Sequence, residues 1–372
     1  MLLLATLFVL QTAVAAPSPA PVTIPMPEGS RAPDLAVADD GTIVLACATK
    51  RELHVAVSRD RGKTFSAAVL AGSAPDIAVG MRRGPKVALH GDDVCVTAVC
   101  GELGGGKDGD VLAFVSRDRG ATWAAPARVH ASRSTAREGL HALASAPNGD
   151  LCCVWIDLRE EAPAVFGATS KDAGRTWSDG VRFAQPEGAA LCPCCAPSVA
   201  FDGKGALYVT WRAQFGATRD LVLATARDGL ATPPAAAKRI GTSAWKLDAC
   251  PMDGGAIRAA GDDVVVAWRC DTKVLATTDR TVEREFSVGS GLQPFVAVGK
   301  DAHVVWSEKN GGRLLERALG RGLEGPPERE LASAASYAVA AASPTRGAGP
   351  VVVAYERLQG GTTRIEFVVL EP

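Results

Sequence analysis

Ser58-Arg-Asp60-Arg-Gly62-Lys-Thr64-Phe65 recurs as Ser116-Arg-Asp118-Arg-Gly120-Ala-Thr122-Trp123 and as Ser170-Lys-Asp172-Ala-Gly174-Arg-Thr176-Trp177. A decayed copy stands at Ala226-Arg-Asp228-Gly229, and the four copies start 58, 54 and 56 positions apart. A nearly constant period of this size marks a repeated supersecondary unit. Each full copy follows a short apolar strand, Leu53–Val57, Val111–Val115 or Val165–Thr169. The Asp accepts from backbone N–H groups a few residues on, the Gly supplies a positive φ, and the hydroxyls close the loop. The final aromatic is placed to pack under the next unit. Asp60, Asp118 and Asp172 therefore read as turn clamps rather than catalytic acids.

A second pattern sets the unit count. An apolar strand, a Gly or Asp turn and a Val-rich strand ending near Trp or Tyr recur seven times, for example Leu140–Trp155, Pro197–Trp211, Pro294–Trp306 and Tyr337–Tyr355. No 12-residue stretch beyond the N-terminal run has a 3.6-residue period, so helix is expected to be minor. Further strands follow each pair, giving about four per unit, and such units predict an all-β chain folded as a β-propeller. Seven blades are expected, with six the alternative if one degenerate unit is an insertion. The last unit ends one strand short at Thr363–Leu370, and Val22–Met26 is expected to supply that strand and close the ring. Closure removes sheet edges that would otherwise pair with other chains. The expectation is a single domain over 22–372.

Composition narrows the function. The 372 residues carry a formal charge of −1, which argues against nucleic-acid or anionic-membrane partners. Residues 2–14 are apolar but too short for a comfortable membrane span. Ala13-Val14-Ala15 follows as a small-x-small site, so residues 1–15 read as a signal peptide and the mature chain as secreted or periplasmic, without a membrane span. Export suits the ten Cys, some of which should pair in an oxidising compartment.

The repeated turn resembles the Asp-box (BNR repeat) of sialidases and related propellers. That family carries an Arg before its first Pro-led strand, and Arg31 stands in Ser30-Arg31-Ala-Pro33. Its last blade carries a Tyr nucleophile and a later Tyr-Glu step, matched by Tyr337 and Tyr355-Glu356. Arg212, after Trp211, corresponds to a second family Arg, and Arg51 occupies the place of another. Arg clusters suit a sugar carboxylate through bidentate pairing. The chain departs from the family where Ala196, before Pro197, replaces the Glu that activates the Tyr, and where the loop Thr49–Glu52 lacks the acid Asp. A phenol with pKa near 10 needs a neighbouring base; Glu52 or Asp34 are the stand-ins.

A denser constellation spans 137–270: Arg137, Glu138 and His141; Asp157 and Arg159; Cys192, Cys194 and Cys195; Arg212, Arg219 and Asp220; Cys250 and Asp253; Arg269. All flank the first strands of adjacent units and are expected to converge on one face. The block resembles uncharacterised secreted Asp-box proteins that share Cys-x-Cys-Cys followed by Cys-Pro-x-Asp-Gly. Two readings of the cysteines stand: a disulfide from Cys250 to one of Cys192, Cys194 or Cys195, which is the plainer, or a thiolate site for Cu(I) or Zn with His141. No metal or other cofactor is required. The charged set reads equally as a ligand site or as an ion-pair ring around the channel. His54, His90, His130 and His303 show no partners.

The expected function is binding or hydrolysis of carbohydrate, or of another small polar ligand, by a monomer. Tyr337 would be the nucleophile and Arg31, Arg51, Arg137, His141, Asp157, Arg159, Arg212, Asp253 and Arg269 the ligand-binding residues. The alternative is a scaffold or binding propeller that has lost its carboxylates.

Overall fold

The computed structural model describes residues 20–232, 234–344 and 349–371, apart from the side chains of Ala260 and Ala338. The run read as a signal peptide lies outside them. Among the described residues every regular element is a β-strand, and no helix is long and apolar enough to cross a membrane. The strands form six antiparallel sheets: three of four strands, two of five and one of seven.

Each sheet starts from a strand at the axis of the molecule. The first runs outward through Arg31–Val37, Ile43–Ala48, Glu52–Ser58 and Val69–Ser73. Its first strand lies against Lys86–His90, which lies against His141–Ser145, then Ser198–Phe201, Ala256–Ala260, Leu292–Val298 and Arg329–Ala342; the last of these lies back against Arg31–Val37. The second strands are buried along their centres, and Ile43–Ala48 and Leu151–Asp157 at every position. They are covered on both faces by neighbouring sheets, which is why they read as unbroken apolar runs. Trp155, Trp211, Trp268, Trp306 and Tyr355 come from those strands and are buried. Cores form between sheets rather than within them: Leu53 and Val55 meet Val94, Val96 and Phe114, and Leu35 and Leu45 meet Val352 and Phe367.

In the seven-stranded sheet one strand serves two partners. Arg329–Ala342 pairs through its first half with Gly312–Leu319 and through its second half with Val351–Gln359, the change falling at Ala335. At the far edge Val22–Thr23 pairs with the final strand, Val22 opposite Phe367 and Thr23 opposite Glu366.

The repeated turns are nearly superimposable in their bonding. In each, the Ser Oγ accepts from the Gly N–H at 2.8 Å. The Asp Oδ1 accepts from the Thr N–H at 2.8–2.9 Å, and Oδ2 from the Thr hydroxyl at 2.6–2.7 Å. Donation by the Thr64 and Thr122 hydroxyls is the main reason that Asp60 and Asp118 are held at a pKa of about 2. The turn needs two successive left-handed residues, Arg61-Gly62, Arg119-Gly120 and Ala173-Gly174, so the residue before the Gly also accepts a positive φ. The Gly is needed for room as well: a Cβ at Gly62 would lie 2.6 Å from the Phe367 ring, and one at Gly174 2.6 Å from Cys95 Sγ. Those contacts correct the expected packing direction. The turns and their aromatics lean on the preceding sheet, Trp123 on the first and Trp177 on the second, and Phe65 meets Phe367 edge-on at 5.0 Å.

His303 is a second correction. Its ring sits between Glu316, 2.7 Å from Nδ1, and Glu371, 2.8 Å from Nε2, although both carboxylates are remote in sequence. Burial opposes its charge, but the two carboxylates win and raise its pKa.

Candidate functional site

The ends of the axial strands that begin at Arg31, Lys86 and His141 enclose a cavity of about 70 Å³. The Asp turns lie at the other end of the same sheets, since Arg31 pairs with Ala48 while Ser58 pairs with Ile43, opposite Val37. Local backbone irregularity shapes the mouth. Ala32 and Gln293 adopt left-handed φ of 53° and 54°, each just before a Pro, and the ladder shifts register there. Bulges of this kind re-aim side chains at the rims of sheets.

The cavity is lined by charged residues that sit within otherwise apolar axial strands: Asp34, Lys86 and Arg258, together with Arg82, His141 and Tyr337. Burial raises the pKa of Asp34, against the pull of Lys86 and an N–H bond from Val87 at 2.8 Å. Burial lowers both Lys86 and Arg258, and Asp34 offsets this only in part. Neither cation makes a salt bridge among the described residues. His141 Nε2 lies 3.0 Å from Thr97 Oγ1, and burial drives its pKa to about 3. It is therefore a neutral wall of the cavity at pH 7, not a cation.

Beside this cavity is a buried network that joins distant parts of the chain. Arg212 is fully buried and donates to three backbone carbonyls: Asp253 from Nε at 3.0 Å, Arg219 from Nη1 at 2.9 Å and Arg269 from Nη2 at 2.9 Å. The guanidinium groups of Arg212 and Arg269 lie over the Trp245 ring, at 5.1 and 4.8 Å from its centroid. Asp253, also fully buried, accepts the Gln293 N–H at 3.0 Å and lies 3.5 Å from Arg269 Nη1 and 3.8 Å from Arg82 Nη2. Arg82 donates to the Gln293 side chain at 2.8 Å and to the Pro294 carbonyl at 2.7 Å, over the Phe295 ring. Burial brings Arg82 down to about 10, with Asp253 opposing. One carboxylate thus faces Arg82 and Arg269, and Arg212 acts as a strut with no exposed face.

Arg31 pairs with buried Glu356, Nε to Oε2 at 2.9 Å, and keeps its outer face in solvent. Glu356 also accepts the Ala32 N–H at 2.6 Å and the Ser336 hydroxyl at 3.0 Å. Tyr337 follows Ser336 into the cavity wall, and among the described residues its hydroxyl has no hydrogen-bond partner. Ala196 lines the same wall, and Asp34 is the one carboxylate among the described residues of the lining, with no hydrogen bond to Tyr337.

The remaining expected residues are elsewhere. Arg51 is exposed in a hairpin turn, Arg137 is exposed in a loop, and neither lines the cavity. Asp157 has both oxygens occupied, by Thr135, Trp155 and Arg159, and Arg159 lies over Phe166. Arg82, Lys86, Arg258 and Gln293 were not singled out in the sequence. Lys86 and Arg258 did carry a signal, as isolated charges inside apolar axial strands.

Cys194 is disulfide-bonded to Cys250. Cys192 and Cys195 are free and buried beside it. A hydrogen bond from Cys195 brings Cys192 down to about 7, assisted by the nearby Arg212 and Arg219, and the same shared proton raises Cys195.

No family model and no curated protein matches the chain in sequence. Solved structures resemble it across nearly its whole length. A protein of unknown function from Dyadobacter fermentans aligns with TM-score 0.57 at 18% identity, over 95% of this chain and 98% of the other. An α-L-arabinofuranosidase of Fusarium graminearum, solved with arabinobiose, aligns with TM-score 0.55 at 12% identity, over 95% and 97%. A Hadza microbial sialidase aligns with TM-score 0.52 at 15% identity, over 92% of this chain and 66% of the other. The chain shares the β-propeller fold of these structures.

Proposed function

We propose that the chain is a binding propeller for small anionic ligands, with an acidic sugar as the ligand class, and that it does not hydrolyse them. The observation that carries this reading is the charge of the axial cavity. Lys86 and Arg258 line it with one carboxylate, Asp34, whereas Arg82 and Arg83, which also line it, already face Asp253 and Glu138. Half-buried cations that outnumber their carboxylate are costly unless something neutralises them, and a ligand carboxylate would do so. The cavity volume of about 70 Å³ is far below the roughly 300 Å³ of an ordinary small-molecule pocket. It takes an anionic group while the sugar ring stays at the mouth, near Arg31. Titration calorimetry with glucuronate, galacturonate and N-acetylneuraminate should show binding that glucose and arabinose lack. Lys86→Met and Arg258→Met should each weaken it at least about tenfold. Equal binding of neutral and acidic sugars would sink the reading.

A second reading, a glycosidase with Tyr337 as nucleophile, is favoured by the Arg31–Glu356 pair beside Ser336 and Tyr337. Against it, the Tyr337 hydroxyl has no carboxylate hydrogen-bond partner among the described residues, and Asp34, the one carboxylate in the cavity lining, is not bonded to it. Turnover of a fluorogenic sialoside or arabinofuranoside that disappears in Tyr337→Phe would reverse the choice.

The frame itself is read as one seven-bladed propeller over 22–372. Supporting this are the seven mutually contacting axial strands, the division of Arg329–Ala342 between two ladders, and the edge pairing of Val22–Thr23. The Ser-x-Asp-x-Gly-x-Thr turns are read as Asp-boxes on the strength of their shared hydrogen bonds. Export is read from residues 1–15 as a signal peptide, with which the Cys194–Cys250 bond agrees, and a monomer is the state proposed with it.

A further inference from the structure

The sulfurs of Cys192, Cys194 and Cys195 form a nearly equilateral triangle. Its edges are 3.7 Å between 192 and 194, 3.7 Å between 192 and 195, and 3.9 Å between 194 and 195. Three thiolates of a tetrahedral site with metal–sulfur bonds of about 2.3 Å stand about 3.8 Å apart, and a trigonal site spreads them to about 4.0 Å. The loop is built to hold that triangle. Pro193 and Pro197 stiffen it, the Cys195 N–H bonds to the Cys192 carbonyl at 3.3 Å, and the Cys192 N–H bonds to the Arg212 carbonyl at 3.0 Å.

The surroundings differ from those of the other thiols. Cys47, Cys95, Cys152 and Cys153 are buried in the inter-sheet cores, where burial keeps them protonated. The triangle instead lies within the electrostatic reach of Arg212, Arg219 and Arg82, and Cys192 is tied through its N–H to the Arg212 carbonyl. Fixed cations offset the negative charge that three thiolates bring to a metal. Cys194 is the one partly exposed member, which gives a route of entry. In the structure that vertex is closed by its bond to Cys250.

We propose that reduction of the Cys194–Cys250 bond opens a three-thiolate site, formed by Cys192, Cys194 and Cys195, for one thiophilic d10 cation, Cu(I) or Zn(II). A thiol reductant, two RSH, converts the disulfide to two thiols and leaves as RSSR. The three cysteines then release three protons as the cation forms three metal–sulfur bonds. Soft thiolates select these two ions. Cu(I) is satisfied by three sulfurs, whereas Zn(II) needs a fourth donor, which Cys250 or water supplies.

The test uses the full chain under argon, with and without reductant, and two probes: Cu(I) delivered from a coloured chelator complex, and Co(II) as a spectroscopic substitute for Zn(II). The reduced protein should take up one equivalent, and the unreduced protein none. Cys250→Ser frees Cys194 and should bind one equivalent without reductant, while Cys192→Ser and Cys195→Ser should lose stoichiometric uptake even when reduced. Near-ultraviolet circular dichroism checks that each variant is folded. Sulfur-to-cobalt charge transfer together with Cu(I) uptake leaves both ions admissible; uptake of Cu(I) alone assigns the site to Cu(I). The proposal falls if the reduced protein takes up neither ion, if Cys192→Ser binds like the parent, or if Cys250→Ser titrates three free thiols beyond the core set and still binds nothing.

Discussion

The two ends of the axial strands hold their loops by different means. At one end, Asp60, Asp118 and Asp172 each satisfy a turn from within eight residues, and the same bonds recur three times. At the other, Arg212 reaches carbonyls 7, 41 and 57 residues away, and Arg82 reaches groups more than 200 residues away. A local clamp repeats with the sequence because every atom it needs lies inside the repeat. A network assembled across units has no such constraint, and it is at this end that cations are left without matching carboxylates.

Substitution can break this comparison. The largest effect is expected from Arg212→Met, which strands the three carbonyl acceptors of Arg219, Asp253 and Arg269. Removal of a buried charged strut of this kind costs about 3–5 kcal/mol, read by urea denaturation. If the loss is under about 1 kcal/mol, the channel end is not held as described. His303→Gln should cost about 2 kcal/mol by removing one member of a buried charged triad. Here the pH dependence carries a sign. His303 has a raised pKa, so its contribution is full below the ordinary value of 6.5 and disappears as pH rises through the raised value. Glu316 and Glu371 are lowered, so their contributions are present above the ordinary 4.5 and disappear as pH falls through the lowered values. The wild-type denaturation midpoint should therefore drop above neutral pH, and the drop should be absent in His303→Gln.

Smaller effects sharpen the contrast. Asp172→Asn weakens one exposed clamp and should cost on the order of 1 kcal/mol, with the other two turns unaffected in hydrogen exchange. A larger loss, or loosening of all three turns together, would mean that the clamps are coupled rather than local. Arg137→Ala should change stability by less than about 0.5 kcal/mol and leave acidic-sugar binding intact, since Arg137 is exposed and away from the cavity.

What was legible in the sequence follows the same division. Strand order, the Asp turns, the aromatic ends of the second strands and the pairing of Val22–Thr23 with the final strand all rest on short-range pattern or on an unfilled edge. The disulfide partner of Cys250 was narrowed to three candidates, of which Cys194 is the one bonded. Arg212 and Asp253 were picked out as charged residues in a converging block, but not as a buried strut and its anchor, because their acceptors are backbone atoms with no sequence signature. Lys86 and Arg258 were passed over because the strands around them read as core. His303 was misread because both carboxylates arrive from other strands.

The strand Arg329–Ala342 carries one more implication. Because the same backbone belongs to two hydrogen-bonded ladders, a slip of one residue on either side would invert the faces presented to both. The last fifth of the chain, Leu292–Glu371, should therefore open as one cooperative block in native-state amide exchange, while the earlier sheets, which share no strand with one another, are able to open one at a time.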